Sequence, residues 1–112
     1  MFREAGYAPV MNDTKWDELR LAMCELGSQS PKWRTKDLKS LHVSDWEGDW
    51  FYHLRIGGYE TIEWLDIRIE NPTQRDVVHR ELTKIHVPGE VSAYGYRVFG
   101  HVLEGQAVDY IT

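Results

Sequence analysis

The chain has 112 residues and a formal charge of −5, from 13 basic and 18 acidic side chains, with a single cysteine. That length suits one domain with one core, and one cysteine excludes an internal disulfide framework and fits a reducing compartment. The acidic balance and the scattered basic residues argue against nucleic-acid binding, and no run approaches the about 20 apolar residues of a membrane-spanning helix.

Residues 1–11 show no period, and the stretch MFREAGYAPV lacks the apolar run of a signal peptide. The expectation is a cytoplasmic, bacterial-type protein. Met11 offers an alternative start, which makes the segment before it a loose N-terminal extension of a single domain covering residues 1–112. Asn12, Asp13 and Thr14 are helix N-caps. Trp16, Leu19, Met23 and Leu26 then share one helical face, with Ala22 beside them, and Gly27 is a stop. The first helix is predicted over 14–26. Pro31 precedes a strand over 32–38 with Trp33 inward, and the nearby cations Lys32, Arg34, Lys36 and Lys39 read as a solvated strand face. Lys39-Ser40 is a turn and 41–46 a short strand.

The stretch from Ser44 to Ile69 organises this reading. Gly57-Gly58 suits a two-residue hairpin turn, which needs φ > 0 at its centre. Counting outwards, Arg55 opposes Glu60, Phe51 opposes Trp64 and Trp50 opposes Leu65. Alternation then assigns Trp50, Tyr52, Leu54, Ile56, Tyr59, Leu65, Ile67 and Ile69 to a core face. Phe51, His53, Arg55, Ile62, Trp64, Asp66 and Arg68 fall on an outer face.

Asn71-Pro72-Thr73-Gln74 opens a second helix over 72–86, with Asn71 as cap, Pro72 in the first turn and Gln74 as capping-box partner. Its buried stripe is Val78, Leu82 and Ile85. Val87-Pro88-Gly89 ends it. A last strand over 96–103 puts Tyr96, Val98 and Val102 on one face and Arg97, Phe99 and His101 on the other, before a tail over 104–112. The predicted fold class is α+β, a two-layer sandwich in the order α-β-β-β-α-β. Its mainly antiparallel sheet carries both helices on one face.

The motifs MNDTKWDELRLAM, WEGDWFYH, GGYETIEW and IHVPGE resemble a family of small bacterial proteins of unknown function. The resemblance covers most of the chain from Met11 onward. It implies a single small domain and leaves residues 1–10 peripheral. It carries no activity, ligand or catalytic residue with it.

Site candidates come from the residues alone. His53, Asp66 and His101 share the outer face, and two histidines with a carboxylate suit a divalent ion. They lack ligand spacing, so polar sheet-face side chains are the stronger reading, and neither a metal nor a cofactor is expected. Asp45, Glu47 and Asp49 alternate with Trp46 and Trp50 in the manner of a sugar cleft or an acid/base pair. Acidic residues at a glycine turn are ordinary turn chemistry and outweigh that reading. Cys24, mid-chain on a helix and far from its N-terminus, reads as structural rather than as a nucleophile. Gly57-Gly58 matches no phosphate-loop pattern.

The leading functional expectation is a non-catalytic interaction module, immunity-like or accessory, that binds a protein partner. Its binding face comprises Phe51, His53, Trp64, Asp66, Phe99 and His101. The alternatives are a small enzyme or ligand-binding domain with a site near Asp45–His53 and His101, and a homodimer with no further ligand. The exposed aromatic face is expected to be covered by a second copy, by a partner or by Val108, Tyr110 and Ile111 of the tail.

Overall fold

Asn12 and Asn71 open the two long helices in a computed structural model that describes residues 6–112. In chain order the described residues form β1 (Tyr7–Pro9), α1 (Asp13–Cys24), β2 (Lys32–Asp37), α2 (His53–Ile56), β3 (Ile62–Arg68), α3 (Pro72–Ile85), β4 (Gly89–Val91), β5 (Gly95–Phe99) and β6 (His101–Leu103). The class is α+β, as predicted. The Asn12 side chain accepts from the Lys15 N–H and that of Asn71 from the Gln74 N–H, each at 2.8 Å. Gln74 reaches back to accept the Glu70 N–H at 2.7 Å, which completes the capping predicted from NPTQ. α1 ends two residues before the predicted Leu26, and Gly27–Gln29 adds one tighter turn.

A four-stranded antiparallel sheet runs in the order β2-β3-β5-β4, and β1 and β6 form a separate antiparallel pair. Trp16, Leu19 and Met23 of α1 and Val78 and Leu82 of α3 pack in one core cluster with Trp33, Leu65, Ile67, Tyr96 and Val98. Both helices therefore lie on one face of the larger sheet. The predicted helical stripes and that half of the sheet alternation hold.

The hairpin does not form. Residues 53–56 make one helical turn, α2, and β3 pairs instead with β2 and β5. Trp64 lies opposite Lys36 and Phe99, so the expected Phe51–Trp64 pair is absent. Trp50 and Leu54 are buried while Tyr52 and Ile56 are exposed. Spacing of four satisfies both buried positions as well as spacing of two does, so periodicity alone did not discriminate over so short a run. Asp49 Oδ1 accepts the Tyr52 N–H at 3.0 Å and starts the turn. Gly58, at φ +73°, leaves it with its N–H on the Arg55 carbonyl at 3.0 Å. The glycine pair thus ends a helical turn. The predicted strand over 41–46 is reduced to isolated bridges, Lys36 to Val43 and Trp33 to Glu47.

Three further boundaries differ. The predicted strand 96–103 breaks at Gly100, whose N–H donates to the Glu63 carbonyl at 2.8 Å. A Cβ at Gly100 would run into the Ile62 carbonyl oxygen, so the chain crosses from one sheet to the other on a residue without a side chain. The segment expected to be a loose extension contains β1, which pairs Tyr7 with Leu103 and Pro9 with His101, and Met11 is buried in the core. Residues 1–5 of that predicted extension lie outside the described residues. The tail bends back to pair Pro88 with Tyr110 and to bury Ile111 in the core cluster. Its Ile111 N–H donates to the Val87 carbonyl at 3.1 Å. The tail thus packs where α3 meets β4, away from the outer face it was expected to cover.

Candidate functional site

The face of the larger sheet away from the helices carries Trp64, Asp66 and Phe99, as expected, but it is not a bare aromatic surface. Asp66 has no accessible surface. Its Oδ1 accepts from Arg97 Nε at 2.7 Å, and its Oδ2 accepts from Arg97 Nη2 at 3.1 Å and Arg34 Nε at 3.2 Å. The register places these residues side by side, Arg34 and Arg97 each opposite Asp66 on adjoining strands. The bond to Asp66 holds the Arg97 guanidinium above its already high ordinary value.

The two guanidiniums also stack. Arg97 lies 3.8 Å from the Trp64 ring centre, and Arg34 lies 4.6 Å from Trp46 and 4.7 Å from Tyr94. Trp46 and Tyr94 meet edge to face at 5.4 Å. Loops of the chain's own thus close over the aromatic face that was expected to need a partner. Sequence reasoning missed Trp46 and Tyr94 here because both belong to loops whose distance from Arg34 is set by tertiary structure.

The exposed apolar surface lies elsewhere. Phe51, Tyr52 and Ile56 are 59%, 61% and 66% exposed within one helical turn, and with Arg55 they line a depression of about 330 Å³. Arg20 is buried beneath them. Its Nη1 donates to the Phe51 carbonyl at 2.7 Å and its guanidinium lies 5.4 Å from the Phe51 ring. Its Nε has no hydrogen bond and sits 3.6 Å from Asp17 Oδ1. The spacing Trp16, Leu19, Arg20, Met23 on the helix was the available signal that this arginine is buried. Asp49 and Glu47 flank the patch. Asp49 serves the turn, as the turn reading held, and Glu47 Oε1 lies 3.2 Å from the exposed His53 Nδ1.

His53, Asp66 and His101 are not brought together. His101 is 95% buried by β1 and β3, with Nδ1 2.8 Å from the Ile62 carbonyl. It lines a cleft that His53 does not touch. Among the described residues no three His, Cys, Asp or Glu side chains converge on a metal-sized site, and no helix is long and apolar enough to cross a membrane. Cys24 is a free, half-buried thiol.

Tyr59 ties the cleft to the buried arginine. Its hydroxyl donates to Asp17 Oδ1 at 2.7 Å, and its ring stacks on Trp16 at 5.7 Å. Burial first, then the bond to Asp17, pushes its phenol from 10.0 up to about 12. A raised value means that the fold favours the protonated phenol. The stability this contributes is complete below pH 10.0 and is lost as pH rises from there to about 12. Tyr59→Phe is expected to flatten the alkaline decline in unfolding free energy across that interval. Parallel slopes for the variant and the parent would show that Tyr59 is not its source.

A model described as a family of unknown function (DUF6678) matches residues 1–105. No curated protein and no solved structure matches the chain.

Proposed function

The chain belongs to that family of unknown function, which brings no activity with it, and we propose from the geometry that the protein is an interaction module for a basic protein partner. The observation that carries this reading is the exposed apolar turn at Phe51, Tyr52 and Ile56. Three large apolar side chains held outward on a fixed turn form the apolar centre of a docking patch, and Asp45, Glu47 and Asp49 form a charged rim. Tyrosine and other aromatics at such a centre carry much of the binding energy in known interfaces. The net charge of −5 steers a basic partner toward it. The family match begins at residue 1, so the peripheral status that the resemblance implied for residues 1–10 is not carried forward.

A Phe51→Ser/Ile56→Ser variant tests the reading. Both side chains are already in water, so the unfolding free energy is expected to stay within about 1 kcal/mol of the parent. The parent is expected to retain a basic protein from its native host on affinity capture at low salt and to release it at high salt, and the variant to retain none. Equal capture by both proteins, or a concentration-dependent mass for the parent alone with no second protein bound, refutes this reading. The second result assigns the patch to a homodimer.

A further inference from the structure

A cleft of about 670 Å³ lies where β1, the start of α1 and the Tyr59–Glu60 turn meet, with His101 at its back. We infer that this cleft is a binding site for a small organic ammonium, a primary amine carried on a flat or apolar body. The inference is independent of the patch at residues 51–56, since the two surfaces share no residue.

The volume lies within the range of small-molecule sites. The Ile62 carbonyl can only accept, so the 2.8 Å contact assigns the hydrogen of His101 to Nδ1. In the neutral ring Nε2 is then an acceptor, and no hydrogen-bond partner for it occurs among the described residues. What enters the cleft has to bring a donor. Asp13 and Glu60 add two carboxylates to the lining, and no lysine or arginine contributes to it. The start of α1 opposes a cation with about half a unit of positive charge, and two full carboxylate charges outweigh it. Trp16 and Tyr59, stacked at 5.7 Å and 18°, supply the aromatic wall that an ammonium and an apolar body both favour. A primary ammonium offers three donors to these three acceptors. An anion meets only the helix end.

The test uses benzylamine as the probe, with benzyl alcohol and benzoate as the neutral and anionic counterparts. Side-chain nitrogen resonances of the histidines are followed by NMR, and the His101 signal is identified by its loss in His101→Gln. Benzylamine is expected to move the His101 Nε2 resonance saturably, and the other two compounds to leave it in place at equal concentration. Glu60 and Asp13 are exposed, so Glu60→Gln and Asp13→Asn keep the fold. Each is expected to weaken benzylamine binding about threefold or more. Benzoate binding as tightly as benzylamine would identify an anion site at the helix end and overturn the inference. An unmoved His101 signal at about 10 mM benzylamine, or undiminished binding in both charge variants, would also overturn it.

Discussion

Asp66→Ala is expected to lower the unfolding free energy by about 3–5 kcal/mol, because it removes the carboxylate between two guanidiniums and leaves both without their partner. Asp66 is fully buried and accepts three hydrogen bonds from Arg34 and Arg97. The arginines themselves keep about a quarter of their side-chain surface in water, 22% for Arg34 and 30% for Arg97, so partial rehydration moves the loss toward the lower end of that range. A triple variant, Arg34→Met/Asp66→Leu/Arg97→Met, replaces all three charges by apolar groups of similar size and is expected to recover most of the loss. Urea unfolding measures both. A loss below about 1 kcal/mol for Asp66→Ala would mean that the trio behaves as a surface ion pair.

Leu82→Ala is expected to cost about 2–5 kcal/mol, as truncation of a buried leucine does. Leu82 is fully buried on the face that α3 turns toward β3 and β5, in the same cluster as Leu65, Ile67 and Val98. Strands hydrogen-bonded on both sides leave that layer little freedom to collapse into the space. Denaturant unfolding with an unchanged slope and a lower midpoint is the expected signature. A loss under 0.5 kcal/mol would place the stripe of α3 in solvent.

The two long helices and β2 were legible because each announces itself over a dozen residues or fewer: a cap, a stripe and a stop. Asn71, Pro72 and Gln74 perform in the structure the roles that their types predict. The region 50–58 was not legible. Trp50 and Leu54 fit a strand and a helical turn equally well, and a glycine pair ends either. What decided between them was pairing at long range, since β3 takes β2 and β5 as neighbours and leaves no edge for residues 50–56. The same cause hid part of the candidate sites. Asp66 was singled out as polar and outer, yet its partners Arg34 and Arg97 come from strands distant in sequence. His101 looked like a sheet-face side chain because nothing local reveals that Gly100 turns the chain into a second sheet. Residues 7–9 have no period of their own, and only their pairing with 101–103 orders them.

That last pairing has a consequence for the order of events during synthesis. The first strand is made early and its neighbour at 101–103 almost last. A ribosome adding about 5–20 residues per second needs on the order of 5–20 s to cover the interval between them. Throughout that time β1 has no edge to join, and Trp16 stays uncovered where Gly100 will later press against it. Helices α1 and α3 can form on the nascent chain, but the sheet cannot close until β5 and β6 have left the exit tunnel. Stalled chains ending before residue 95 are therefore expected to be protease-sensitive throughout, with protection arriving in one late step.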